Sequence, residues 1–248
     1  MLISVTDLIK QTFRFYTQHF GLILKYLLFV IGAWLLIVLN SGIGFNISAF
    51  ETLNGQRVSI VISLLLQVVF LIISYIVLLA FKRGMAHIVR GTLPTSVFKE
   101  ILQTRKIFWK AIGVSILYGL AIISGSLLII VPGIIFALWF YFSRFAVILD
   151  NQRPMEAMKF SKKIVAGRFG AVLWRLCAPT LIYVLVFGSI SWAILTPGEY
   201  FWASTGNVPV YILTAALTTI FNFLIIPITT ITPILLYEHL KATPEPIE

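Results

Sequence analysis

Six apolar stretches, each long enough to cross a lipid bilayer, dominate this sequence. A transmembrane helix needs about 20 mostly apolar residues to cross a hydrocarbon core about 30 Å thick. The stretches lack the apolar–polar alternation of barrel strands, so we predict that they are helices. We place them at about 21–39, 58–81, 111–131, 133–149, 169–195 and 208–237.

The composition excludes a soluble protein. The chain has 248 residues, of which 59% are hydrophobic and 11% charged, whereas an ordinary soluble domain has roughly 45–50% apolar and about 25% charged residues. The single cysteine, Cys177, excludes an internal disulfide. We therefore predict one integral membrane domain over residues 1–240 and a short tail over 241–248.

Three amphipathic segments precede apolar helices. In residues 2–20, apolar side chains recur at steps of three and four, and Ser4 with Asp7 approximates a capping box. Similar segments cover 95–108, where Phe98 lies on the predicted apolar face and Glu100 on the polar face, and 155–167, which ends at a glycine typical of a helix C-cap. We expect these helices to lie in the membrane interface.

Together these elements predict an all-α membrane protein with six transmembrane helices and about three interfacial amphipathic helices. Each amphipathic segment runs into an apolar helix through a similar junction, at Phe20–Gly21, Ile112–Gly113 and Phe169–Gly170. This order is typical of three repeated units, each an amphipathic helix followed by a helical hairpin. The junctions are unequally spaced, which leaves three unrelated hairpins as the alternative.

The distribution of positive charge predicts the orientation. With six spans both termini share one side, and that side carries all of the 19 Lys and Arg residues except Arg57. The opposite loops contain Glu51 and Glu199. The positive-inside rule then places the protein in the inner (cell) membrane with both termini in the cytoplasm.

The pair Pro132–Gly133 predicts a tight reversal between the third and fourth spans. Proline fixes one backbone angle and glycine supplies the other, so two long apolar helices could reverse within about two residues. We interpret the pair as a turn.

One region resembles a known family. The run 128–135, followed by 140–144, 147–150, Ala157, Lys159, Ser161 and 167–169, resembles the signature of the membrane domain of glycerophosphoryl diester phosphodiesterases. The opening segment 8–20 is similar to the start of that domain. In members that are phosphodiesterases, a separate soluble barrel performs catalysis, and other members are free-standing multi-pass proteins. The 248 residues leave no room for that barrel, so the resemblance implies the membrane fold without the hydrolase activity.

Three cations inside the spans are candidates for an anion site. Lys25, Arg144 and Arg175 each fall within about two turns of the predicted cytoplasmic boundary. A charge in hydrocarbon costs about 2.5–3.5 kcal/mol on insertion scales, so such a residue usually extends to the interface, pairs or binds something. The three could surround a pocket for a phosphate or lipid headgroup. The alternative is extension to the interface, or ion pairing with Asp150 and Glu238.

A basic cluster on the third amphipathic segment predicts binding to anionic lipid. It contains Lys159, Lys162, Lys163 and Arg168, and each cation near an anionic leaflet contributes about 1 kcal/mol. Any positive-inside loop gains the same attraction. Nucleic-acid binding is not expected, because no basic segment forms a soluble module with aromatic stacking residues.

The sequence contains no motif that predicts catalysis. It has no Walker loop, no His-Glu-x-x-His and no Gly-x-Ser-x-Gly, so we predict no catalytic residue, metal ligand or cofactor. Serine and threonine stripes on the second and sixth spans could form a polar pathway or could pack helix against helix. The leading hypothesis is a non-catalytic protein that binds anionic lipid or a partner protein. The alternatives are a transporter or flippase-like protein for an anionic lipid or metabolite and, last, an intramembrane enzyme.

Overall fold

The computed structural model describes residues 2–48, 53–92, 96–128, 130–206 and 208–243, and the regular structure in these ranges is entirely helical. The α-helices are α1 (Val5–Gln18), α2 (Phe20–Ser48), α3 (Leu53–Val89), α4 (Val97–Thr104), α5 (Phe108–Leu128), α6 (Ile130–Trp139), α7 (Ser143–Asp150), α8 (Pro154–Val165), α9 (Phe169–Thr205) and α10 (Val208–Ala242). A short 3-10 helix, Arg105–Ile107, joins α4 to α5. Glu51 and residues 244–248 of the predicted tail lie outside the described residues.

The predicted all-α membrane architecture is confirmed. Six segments are long and apolar enough to cross a membrane: Phe20–Val38, Val61–Val89, Val97–Leu127, Val131–Asp150, Phe169–Thr205 and Val208–Ala242. Large apolar side chains such as Leu28, Leu65 and Trp192 are exposed along them. A soluble monomer rarely exposes this much contiguous apolar surface, and in a bilayer these side chains lie against lipid.

The packed core lies at one end of the bundle, where α3, α7 and α10 finish. Its largest fully buried side chains include Tyr26, Phe81, Phe142 and Tyr237. On α9, four of the five buried residues fall in the first half of the helix. We call this end, including α4 and α8, the charged end, because the ion pairs described below are found there.

The order of the helices along the chain is that of the three predicted units, each an amphipathic helix followed by a helical hairpin. The most extensively packed helix pairs are α2–α3, α5–α6 and α9–α10, and each pair is preceded by a short helix: α1, α4 or α8. The Ser4 Oγ accepts the backbone N–H of Asp7 at 3.0 Å and begins α1 as predicted. Beyond α8, Gly167 adopts a φ of 74°, the left-handed conformation that favours glycine after a helix.

Two residues of the amphipathic helix α4, Phe98 and Glu100, lie on the opposite sides from those that the sequence predicted. Its buried residues are Glu100 and Thr104, and Glu100 is only 6% exposed, whereas Phe98 is 61% exposed. The inversion has an electrostatic reason, since the carboxylate of Glu100 meets Arg83 of α3 at 2.8 Å. Placing α4 against the charged end in this way leaves Phe98 and Leu102 exposed, while Val97 packs against the core.

The fourth span is not the single helix that we predicted over 133–149. It consists of α6 and α7, separated by a turn at residues 140–142. Ser161 of α8 stabilises the turn, because its Oγ accepts the N–H of Phe142 at 3.1 Å and donates to the carbonyl of Trp139 at 2.7 Å. One hydroxyl thereby satisfies a backbone donor and an acceptor that a continuous helix would have paired internally.

Pro132 and Gly133 do not form the turn that we predicted. They are the third and fourth residues of α6 and so follow the reversal between α5 and α6. Ile129, between α5 and α6, lies outside the described residues. Gly133 does not have a positive φ. It is needed for close approach instead: a Cβ at Gly133 would overlap Ser126, and a Cβ at Gly125 would come within 3.0 Å of the Gly133 Cα. The two glycines let the backbones of α5 and α6 meet.

Candidate functional site

An ion-pair network joins the C-terminal ends of three helices at the charged end. Arg90 pairs with Asp150 at 2.9 Å and with Glu238 at 2.6 Å, while Lys241 pairs with Asp150 at 2.9 Å. The Tyr237 hydroxyl donates to Asp150 at 2.5 Å. Burial lowers the pKa of Arg90, but the hydrogen bonds to Glu238 and Asp150 outweigh it and raise that pKa overall. The network therefore holds the ends of α3, α7 and α10 together.

A second set of ion pairs attaches α4 to α3. The buried Glu100 forms an ion pair with Arg83, whose Nε lies 2.8 Å from Oε1, and lies 3.7 Å from His87 Nε2. Removing one partner from either set of ion pairs would leave a buried charge without a counter-charge. The carboxylates Asp150, Glu238 and Glu100 are thus already matched with cations from inside the chain.

Arg175 binds the backbone before α1. Its Nε donates to the carbonyl of Ile3 at 2.5 Å, its Nη2 to that of Leu2 at 3.4 Å and its Nη1 to that of Ala171 at 2.9 Å. The guanidinium thus donates to three backbone carbonyls, and its bonds to Ile3 and Leu2 anchor the N-terminal segment to α9. This finding explains why a cation occurs inside that span.

The structure gives the three predicted intramembrane cations different surroundings. Lys25 is exposed on α2, Arg175 binds carbonyls, and the Arg144 guanidinium lies 4.7 Å from the centre of the Tyr118 ring on α5. Contact with an aromatic face stabilises a cation without neutralising it. The described contacts do not bring the three together; Arg144 and Arg175 are half-buried, and Lys25 is exposed.

Lys82 is a cation inside the second span that the sequence analysis missed. The predicted second span ends at Phe81, but α3 continues for two more turns to Val89. Lys82 is consequently a half-buried residue of the helix. A sequence signal existed: the apolar period resumes at Met85, Ala86 and Ile88, which are buried.

The predicted basic cluster on α8 is largely on the surface. Lys159, Lys162 and Lys163 are exposed, and the ammonium of Lys162 lies 4.6 Å from the centre of the Trp139 ring. Arg168 Nη2 donates to the carbonyl of Thr243 at 3.4 Å. Together with Lys241, Lys163 and Arg168 line a cavity of about 340 Å³. The cluster thus forms a basic surface rather than a single enclosed site.

A second basic pocket opens between α3, α5 and α7. It has a volume of about 410 Å³ and is lined by Arg83, Gln103, Lys106, Ile107, Lys110, Ile148, Leu149 and Asn151. Lys110 donates to the side chain of Asn151 at 2.9 Å, while Lys106 is exposed. We call it the basic cavity. Its amide and ammonium groups suit an anionic headgroup.

A cavity larger than these two basic ones lies apart from the charges, between α9 and α10. Its volume is about 550 Å³, and Tyr183, Ser191, Asn222 and Thr232 supply polar groups to a mostly apolar wall. Ser191 donates to the Asn222 side chain at 2.9 Å. Many other hydroxyls on α9 and α10 bond to carbonyls of their own helix, as Thr180 and Thr219 do. The polar stripe on α10 therefore both packs helices and lines a cavity.

The fold and the charged end define an all-α, multi-pass membrane protein whose ionisable groups concentrate at one end of its helices. In the described ranges, no three His, Cys, Asp or Glu side chains gather as a metal site would require. Comparison with protein-family models, curated proteins and solved structures found no match to this chain. The resemblance to the phosphodiesterase membrane domain stays a prediction.

Proposed function

We propose that this is a non-catalytic protein of the inner (cell) membrane that binds anionic phospholipid headgroups through its charged end, with both termini in the cytoplasm. The observation that carries the proposal is the imbalance of charge at that end. The chain has a net charge of +10, and Arg83, Arg90 and Lys241 are the cations that pair with carboxylates in the part of the chain described. Further cations remain for a ligand, including Lys106, Lys159 and Lys162.

The surroundings of these cations favour lipid over another partner. On α4 and α5, Phe98 is 61% exposed and Trp109 is 78% exposed, and both lie within a few residues of exposed Lys99 and Lys106. Apolar side chains beside lysines are typical of a surface at the boundary between acyl chains and headgroups. A protein partner is the alternative occupant of the same surface.

Tryptophan quenching by brominated lipids tests the proposal. Trp109 and Trp139 lie beside the cations in question, so brominated phosphatidylglycerol should quench the reconstituted protein more than brominated phosphatidylcholine at equal mole fraction. The difference should shrink at high salt, because salt screens exposed charges. It should fall by at least half in the triple variant Lys106→Gln, Lys159→Gln, Lys162→Gln.

The matched control is Arg57→Gln, which removes one cation near the other end of α3 and should leave the preference unchanged. Equal quenching of the wild type by the two lipids would contradict the proposal. A preference that survives in the triple variant would assign it to other residues.

The cavity between α9 and α10 favours a second candidate function, a flippase-like transporter. A lipid crossing the membrane needs a polar path for its headgroup, and Asn222 with Ser191 supplies polar atoms inside the apolar spans. Proteoliposomes containing fluorescent phosphatidylglycerol, bleached from outside with dithionite, measure this activity. Transport should raise the bleached fraction above that of empty liposomes, and Asn222→Leu should abolish the increase. Bleaching equal to that of empty liposomes would exclude lipid transport.

A further inference from the structure

We infer that the basic cavity between α3, α5 and α7 binds one dianionic phosphate group, either the phosphomonoester of a lipid or inorganic phosphate. This inference rests on the proposed binding of anionic lipid and deepens it, because it names one site and one class of headgroup. The cavity, of about 410 Å³, falls within the roughly 300–1,000 Å³ that is typical of ligand pockets.

The charges along the wall of the cavity do not balance. Arg83, Lys106 and Lys110 are cations, and the residues described along this wall include no aspartate or glutamate. Glu100 pairs with Arg83 at 2.8 Å and offsets one of the three positive charges. Two positive charges therefore remain for a ligand to match.

Hydrogen-bond donors at the wall also exceed the acceptors that the chain provides. Lys110 uses two of its three N–H groups on Asn151, donating to the backbone carbonyl at 3.3 Å and to Oδ1 at 2.9 Å. Arg83 pairs through Nε. Within the described ranges its two Nη groups form no hydrogen bond, and neither do Lys106 and Gln103. The wall thus offers several N–H groups to an external acceptor.

Asn151, at the end of α7, fixes the position of Lys110. It has a φ of 54°, in the left-handed region that asparagine adopts more readily than most residues other than glycine. A glycine, which is common at this position of a helix end, would offer Lys110 only the backbone carbonyl. The asparagine adds the Oδ1 acceptor, so the ammonium is held at the cavity wall before any ligand arrives.

A dianionic phosphate matches this wall better than a phosphodiester does. A phosphomonoester carries about 1.5–2 negative charges at pH 7 and three strong acceptor oxygens, whereas the phosphodiester of phosphatidylglycerol carries a single charge. Guanidinium and ammonium groups are the side chains that bind phosphate in proteins, the first through paired N–H donors and the second as a compact charge. Arg83 with Lys106 and Lys110 supplies both.

An apolar groove close to the basic cavity favours a lipid as the carrier of the phosphate. Ile107 lines the basic cavity, and the next residue, Phe108, lines a groove of about 460 Å³ between α3 and α5. The wall of that groove is mostly apolar, with Leu71 and Ile112 among its residues. Acyl chains therefore have an apolar surface near the site of the phosphate.

Native mass spectrometry of the detergent-solubilised full chain tests the inference. The wild type, supplied with equal amounts of phosphatidic acid and phosphatidylglycerol with the same acyl chains, should retain one phosphatidic acid at least fivefold more than phosphatidylglycerol. Lys106→Gln removes one of the two unmatched charges and should reduce this preference at least threefold. A parallel incubation with inorganic phosphate distinguishes the source: retention of phosphate with no retained lipid, weakened by the same variant, identifies free phosphate as the ligand.

The matched control is Arg105→Gln. It removes the same charge one residue away, from an exposed side chain that does not line the cavity, so the preference should persist. Lys106 is also exposed and forms no bond in the described part of the chain, so its substitution should leave the fold intact. Equal retention by Lys106→Gln and the wild type, or an equal loss in both variants, would overturn the inference.

Lysine footprinting of the wild type is an independent measurement. Modification by an N-hydroxysuccinimide ester should slow at Lys106 and Lys110 when phosphatidic acid or phosphate is added, and should not slow at the exposed Lys10 of α1. No protection by either ligand would leave Lys110 only the role of binding the end of α7, and would overturn the inference. A preference for brominated phosphatidylglycerol that persists in that case would show that the surface binding stands without this site.

Discussion

Arg90 and Asp150, at the C-terminal ends of α3 and α7, form an ion pair of 2.9 Å across 60 positions of sequence. Arg90 also reaches Glu238 of α10, and Asp150 also accepts from Tyr237 and Lys241 of α10. Three helices from different hairpins are therefore joined through two side chains. In a membrane the hydrophobic effect contributes little to helix association, so polar contacts of this kind and close packing decide which helices meet.

Replacing Asp150 by alanine should destabilise the bundle strongly. The change leaves Lys241 and the Tyr237 hydroxyl without their acceptor and removes one of the two carboxylates that bind Arg90, which costs about 2–3 kcal/mol when a charge-assisted bond is lost. The free energy of unfolding in mixed micelles should fall by about that amount. Glu199→Ala removes an exposed carboxylate from α9 and is the control. Equal stabilities of the two variants would show that the network adds nothing to the fold.

Substitution of Gly84 by alanine should separate α2 from α3. A Cβ at Gly84 would overlap the ring of Tyr26, which is 2% exposed, and overpacking of this kind costs about 1–3 kcal/mol. Gly32→Ala on α2 is the matched control, because a Cβ there meets nothing within 4 Å. The control should be neutral or gain about 0.5–1 kcal/mol from helix propensity. Unfolding of both variants in mixed micelles measures the difference, and a stabilised Gly84→Ala would contradict the packing.

Removing the Ser161 hydroxyl should destabilise the turn between α6 and α7. Ser161→Ala leaves the Phe142 N–H and the Trp139 carbonyl unpaired in a buried position, at a cost of about 1–3 kcal/mol. Hydrogen exchange at residues 139–143 should accelerate. Ser189→Ala deletes an exposed hydroxyl that bonds to a carbonyl of its own helix, that of Leu185 at 2.6 Å, and should change nothing. Unchanged exchange in Ser161→Ala would mean that the break has another cause.

Arg175→Leu should release α1 from the bundle without unfolding it. The variant loses the hydrogen bonds to the Ile3 and Leu2 carbonyls, while the contact between Thr12 and Thr232 at 3.1 Å remains. Amide exchange in residues 5–18 should rise at least tenfold, measured by mass spectrometry. Lys25→Leu, which removes an exposed cation from α2, is the control. If Arg175 instead served only a bound anion, exchange in α1 would match the wild type.

Some features of the fold could be predicted from sequence because they depend on local or additive properties. Six long apolar runs require helices, since a backbone in hydrocarbon must satisfy its own hydrogen bonds. The Ser4 cap and the Gly167 terminus needed only nearest-neighbour chemistry. The candidate site was partly accessible by the same reasoning: a lone charge such as Arg144 in an apolar run stands out from its neighbours.

Other features were decided by contacts between distant residues. The break at 140–142 depends on Ser161, about 20 positions away, and no proline or glycine marks it. The inward face of α4 depends on a cation of α3, because pairing Glu100 with Arg83 outweighs the apolar pattern of α4 itself.

By itself, the sequence determined the six apolar spans and the concentration of cations at one end, because length, hydropathy and capping act within a single segment. Tertiary structure alone decided which cations bind groups within the protein and which remain available to a ligand. Arg175 is bound by carbonyls and Arg90 by carboxylates, whereas Arg144 lies against the Tyr118 ring. The physical reason is that an ion pair depends on distances of a few ångströms, which only the packing of one helix on another can set.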